Sequence, residues 1–165
     1  MKKVILIFAL SLSLVSFSQT DENLNNRFCK RIKVEKDKFT NETKSRSPYD
    51  GSGLNLIKYV TNESTNIYLS INVEGNTLNY NAKGVYILLE NGEKLSFPDI
   101  EISVDTNSSH RYSKWKYSAF IELSDENIKL LLSSRITDVR LYIYDDSIIN
   151  KLSSNFIEYL KCITN

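Results

Sequence analysis

The sequence predicts a mainly β protein: an antiparallel β-sandwich or barrel-like fold with two short helices near the carboxyl terminus. Three observations carry this expectation. Apolar and polar residues alternate with a period of two in several short segments, the pattern of half-buried strands. Asn91-Gly92 lies between two apolar segments, the strongest short hairpin signal, because both central residues of a type I′ turn need positive φ. Helical spacing of apolar residues emerges only beyond Ser124.

Each element follows from its own pattern. Arg31 to Asp37 alternates with Ile32 and Val34 on one side, which predicts a half-buried strand. Asn41 to Gly53 is polar and interrupted by Ser47-Pro48 and Asp50-Gly51, so it reads as a loop with room for a short edge strand. Leu54 to Val60 and Asn66 to Val73 form a predicted hairpin around Asn62-Glu63-Ser64, the second strand placing Ile67, Leu69, Ile71 and Val73 on one face. Val85 to Glu90 and Glu93 to Phe97 flank the Asn-Gly pair, and Ile100 to Val104 alternates again. In Ser113 to Leu123 the core face is Trp115, Tyr117, Ala119, Ile121 and Leu123, while Phe120 is an apolar exception among Lys114, Lys116, Ser118 and Glu122.

Ser124 caps a helix whose first turn holds Asp125 and Glu126, where negative charge suits the positive end of the helix dipole. Ile136 to Tyr144 reads as one strand, with Val139, Leu141 and Ile143 inward and Arg140, Tyr142 and Tyr144 outward. Asp145, Asp146 and Ser147 then mark the start of a second helix over about Ile148 to Cys162, its apolar side made of Ile149, Leu152, Phe156, Leu160 and Ile163.

The amino terminus predicts export. Lys2 and Lys3 precede the apolar run Val4 to Val15, which falls short of the roughly 20 residues needed to span a bilayer, and Ser16 and Ser18 frame a cleavage site. Residues 1–18 are thus read as a signal peptide, 19–27 as a flexible leader and 28–165 as one β-rich domain, working in the periplasm or secreted. Cys29 and Cys162, the two cysteines, would then meet oxidising conditions and join the ends of the domain in one disulfide. A lipid-anchored cysteine is the rival reading of Cys29, but Asn26, Arg27 and Phe28 do not form a small-residue cleavage box.

Lys2 and Lys3 account for two of the 21 basic residues, so the exported chain carries 19 against 20 acidic ones. This balance speaks against a nucleic-acid partner, and the chain beyond the signal holds no run suited to membrane insertion. His110, the one histidine, stands near Asp105, Ser108 and Ser109, but three members of a triad crowded into one polar loop rarely converge from a fixed framework. A zinc-ligand spacing is missing, and Asp37, Asp145 and Asp146 lack the arrangement of a calcium loop; neither a cofactor nor a metal is expected. Three triplets, starting at Asn41, Asn62 and Asn107, fit the N-glycosylation pattern and are read as chance in an Asn-rich chain.

Aromatic residues make up 11% of the chain. Arg140, Tyr142 and Tyr144, alternating on one predicted strand, would present stackable, hydrogen-bonding side chains of the kind enriched at recognition surfaces. They are the predicted binding site; the competing explanation is that a helix or the other sheet covers them. Arg111, Tyr112, Lys114 and Lys116 form a second candidate, equally explained as a solvated strand face. The expected function is therefore non-catalytic binding of an envelope protein or a glycan, with a structural role in the envelope and a hydrolase as competing classes.

The signal ending SFSQ, the charged opening KVEKDKFT and the late helix-strand-helix segment resemble small exported β-sandwich proteins of unknown function from Gram-negative bacterial envelopes. That resemblance implies a fold and a compartment and assigns no functional residue.

Overall fold

A computed structural model describes residues 27–107 and 114–165. The predicted signal and most of the leader, together with His110, Arg111 and Tyr112, lie outside the described residues. A helical segment at 27–29 opens the described chain. Ten strands and two longer helices follow: β1 (Lys33–Lys36), β2 (Thr43–Arg46), β3 (Leu54–Val60), β4 (Thr65–Gly75), β5 (Lys83–Leu89), β6 (Lys94–Glu101), β7 (Ser103–Asn107), β8 (Lys114–Glu122), α1 (Asp125–Ser133), β9 (Ile136–Leu141), β10 (Tyr144–Ser147) and α2 (Asn150–Thr164).

The strands form two antiparallel sheets rather than a closed barrel. The larger has the order β1-β2-β3-β4-β8-β7 and the smaller β10-β9-β5-β6. Their inner faces share one apolar cluster, to which β4 gives Leu69 and Ile71, β8 gives Tyr117 and Ile121, β5 gives Val85 and Ile87, and β9 gives Val139 and Leu141. Helix α2 packs on β3, β9 and α1, burying Phe156, Tyr159, Leu160 and Ile163. Its carboxyl end is tied down twice: Lys58 Nζ donates to the Ile163 carbonyl at 2.7 Å, and Cys162 is bonded to Cys29 across 133 residues of sequence. Ser124 caps α1 as its position predicts, in a reciprocal capping box with Asn127.

Predicted hairpins appear where turn chemistry is local. Leu54 pairs with Ile71 and Val60 with Thr65, around a turn at 61–64. β5 and β6 pair around Asn91-Gly92, but the loop has three residues, 90–92, closed by the Leu89 amide on the Glu93 carbonyl at 2.9 Å. Gly92 alone of the pair takes positive φ, 87°, so the turn is the longer, glycine-ended relative of the two-residue form expected.

Three sequence expectations are corrected. β1 is exposed along its whole length, Val34 to 63%, because it is an edge strand beyond β2 and, among the described residues, no layer lies over it to receive the apolar side. The segment Ile100 to Val104 is no single strand: the chain leaves the smaller sheet at Glu101 and enters the larger at Ser103. Ile102 at this corner is buried and its amide donates to Ala82, so alternation persists although the sheet changes. Finally, Ile136 to Tyr144 breaks at Tyr142, whose φ of 58° turns the backbone into a hairpin. Ile143 consequently lies 63% exposed, and Asp145, Asp146 and Ser147 belong to β10 rather than to a helix start.

Candidate functional site

Arg140, Tyr142 and Tyr144 do not share a strand face. The β9–β10 hairpin divides them. Arg140 is exposed on the outer face of the smaller sheet, opposite Tyr86 on β5 and Asp145 on β10. A depression of about 330 Å³ is lined there by Tyr86, Lys94, Asp138, Arg140 and Asp145. The Arg140 guanidinium and the Asp145 carboxylate satisfy each other, which holds the carboxyl below its ordinary pKa and the guanidinium above its own.

Tyr142 and Tyr144 are half-buried and fasten the segment between β4 and β5. Asn79 Nδ2 donates to the Tyr142 hydroxyl at 2.8 Å, and the Thr77 amide donates to the Tyr144 hydroxyl at 3.1 Å. The Thr77 side chain also bonds the Tyr144 hydroxyl, and the Tyr117 hydroxyl donates to the Thr77 carbonyl at 2.6 Å. Tyr117 and Tyr144 pack with ring centres 4.7 Å apart. Burial raises the pKa of Tyr117, keeping its hydroxyl protonated as this donation requires. These tyrosines do structural work.

The outer face of the larger sheet carries a different aromatic group. Alternation sends Tyr59 of β3, Tyr68 of β4 and Phe120 of β8 outward, and the strand order β3-β4-β8 places them in a row. Tyr68 and Phe120 are stacked, centres 4.6 Å apart and planes 8° from parallel, while Tyr59 meets Tyr68 edge-on at 5.7 Å. Lys44 of β2 extends the row, its ammonium 5.1 Å from the Tyr59 ring centre. Phe120 remains 45% exposed, although it is among the largest apolar side chains of the sheet.

Stacking on Tyr68 covers one face of the Phe120 ring. A depression of about 450 Å³ adjoins Phe120 without touching Tyr68, and is lined by Ser70, Glu101, Ser103 and Ser118. Two of its hydroxyls are oriented: Ser103 donates to the Ser118 carbonyl at 3.2 Å and Ser118 to Asn72 Oδ1 at 2.8 Å. An aromatic wall beside neutral hydroxyls and one carboxylate can stack against an apolar face and hydrogen-bond its polar rim. In the sequence the signal was Phe120 breaking a polar face, together with Tyr68 between Asn66 and Ser70. Their adjacency was hidden, because Ser70 and Phe120 are partners across strands 50 positions apart in the chain.

Of the second predicted patch, Lys114 and Lys116 are described. Lys114 pairs with Glu74 at 2.8 Å, and Lys116 lies exposed on the same strand face. Among the described residues no three His, Cys, Asp or Glu side chains are grouped to hold a metal ion, and no helix is long and apolar enough to cross a membrane.

Fold and surface together define a two-sheet, sandwich-like antiparallel β protein, with a disulfide-tied carboxyl-terminal helix and an exposed ring stack on its larger sheet. Comparison with protein-family models, curated proteins and solved structures finds no match.

Proposed function

We propose that this chain is an exported, non-catalytic binding domain of the cell envelope, and that its ligand is a glycan held on the outer face of the larger sheet. The observation that carries this reading is the exposed Phe120 ring, stacked on Tyr68 and bordered by the hydroxyls of Ser70, Ser103 and Ser118. A sugar ring has an apolar face of C–H groups and a rim of hydroxyls. Aromatic faces are electron-rich and attract polarised C–H groups, while serine hydroxyls both donate and accept at the rim. The Tyr68 stack holds Phe120 upright, which lowers the ordering cost of binding. Export is supported by the amino-terminal pattern and by the Cys29–Cys162 bridge, a bond of oxidising compartments.

The test is titration of the mature protein against a panel of envelope polysaccharides. Phe120→Ala is expected to weaken binding at least tenfold with an unchanged far-ultraviolet dichroism spectrum, and Ser103→Ala to weaken it less. Absence of binding across the panel, or binding indifferent to Phe120→Ala, overturns the proposal.

A further inference from the structure

Charge is distributed unevenly along this chain. Residues 27–46 hold eight Lys or Arg against three Asp or Glu, whereas residues 47–165 hold 11 against 15. The near-neutral total conceals a basic segment, and that segment is the β1–β2 hairpin with its approach, at the edge of the larger sheet.

Phe39 stands at the tip of this hairpin, 97% exposed. The backbone beneath it is well fixed. Asp37 Oδ1 accepts from the Phe39 amide at 2.7 Å and the Thr40 amide at 3.0 Å, and the Asp37 amide donates to the Glu42 carbonyl at 2.8 Å. Asn41 adopts φ 58°, and its amide donates to the Asp37 carbonyl at 3.1 Å. A turn so hydrogen-bonded presents an aromatic side chain to solvent against the ordinary cost of apolar exposure. Lys36 and Lys38 flank the tip, exposed and without ion pairs among the described residues. Val34 adds a second exposed apolar side chain farther along β1.

We propose that the β1–β2 hairpin docks the protein on an anionic lipid surface, with Phe39 entering the headgroup layer and Lys36 and Lys38 meeting the phosphates. An apolar tip ahead of long-stemmed lysines is the arrangement that lets stems lie along apolar material while ammonium groups remain in the polar layer. Basic residues close to such a surface each strengthen binding roughly fivefold, and the effect fades within a Debye length. Lysines rather than arginines nearest the tip suit a diffuse layer of charge more than a forked contact to one phosphate.

Cosedimentation of the mature protein with phosphatidylcholine vesicles, with and without phosphatidylglycerol, tests this. Binding is expected only to the anionic vesicles and is expected to weaken with salt. Lys36→Ser with Lys38→Ser is expected to lower the partition coefficient roughly 25-fold. Phe39→Ser, at a side chain 97% exposed, is expected to lower it about tenfold or more, the low end for burying one phenylalanine side chain. Equal binding to both vesicle types, or no binding, overturns the proposal. So does binding that survives Phe39→Ser and is matched by a soluble polyanion such as DNA, which would mark a polyanion site instead. These vesicles contain no glycan, so the outcome is independent of the glycan titration.

Discussion

Arg140 and Asp145 face each other across the β9–β10 hairpin and join at two points, Nε to Oδ1 at 2.5 Å and Nη2 to Oδ2 at 2.8 Å. Both side chains are more than half exposed, at 55% and 58%, so water and salt screen the pair. Asp145→Ala is expected to lower the thermal midpoint by no more than roughly 3 °C. A calorimetric drop of ten degrees would show that the hairpin depends on this pair.

The Cys29–Cys162 bond closes nearly the whole described chain into a loop, with 133 positions between its ends. Denaturing the native protein without reductant should reveal no free thiol. Replacing both cysteines by serine is expected to cost up to about 4 to 5 kcal/mol in urea unfolding, the chain-entropy value for a loop of this size. The helical segment at 27–29 should loosen first, since Phe28 meets Tyr159 edge-on at 5.1 Å directly beside the bond.

Gly75 ends β4 beneath two tyrosine rings. An added Cβ there would lie 2.6 Å from Cε2 of Tyr117 and 2.6 Å from Cε2 of Tyr144, both of which are held by hydrogen bonds to Thr77. Gly75→Ala is expected to destabilise by about 1 to 3 kcal/mol, the range for overpacking a fixed site. Amide exchange at Thr77 should accelerate in that variant; unchanged exchange would mean that the rings move aside freely.

Stability should fall at both ends of the pH range for opposite reasons. Lys33 beside Glu35, the Thr40 and Phe39 amides on Asp37, Arg135 beside Glu90 and Arg140 beside Asp145 hold these carboxyls below their ordinary values. Their contribution is complete above the unfolded values near 4 and is lost as pH falls through the lower folded ones. Burial raises Tyr117 and Tyr159. Their contribution is complete below about 10, the unfolded tyrosine value, and is lost as pH rises beyond it. Thermal melts should therefore show a plateau between roughly pH 5 and 9, with an alkaline limb that flattens in Tyr117→Phe. An alkaline limb unchanged in that variant would refute the assignment.

Period-two alternation located β4 and β8 within a residue or two, because a strand between core and solvent must write its two faces into its own sequence. The same pattern misread β9 and β10 as one strand. Alternation records which side a residue takes and says nothing of where the backbone doubles back, and Tyr142 turns it with a left-handed conformation that its residue type does not announce. Phe120 and Tyr68 were each visible as aromatic residues on polar faces. Their stacking was not, since it depends on β8 lying beside β4.

What the chain dictated unaided was local or combinatorial: strand periodicity, the capping of α1 by Ser124, the Asn91-Gly92 reversal, and the pairing of Cys29 with Cys162 where only one pairing exists. Tertiary structure alone decided that Ile102 carries the chain from one sheet to the other, that Arg140 parts company with Tyr142 and Tyr144, and that Phe39 meets solvent. The physical reason is that hydrogen-bonded turns and side-chain periodicity act over a few residues. Which strands become neighbours is settled by the shared burial of apolar faces from segments far apart in the chain.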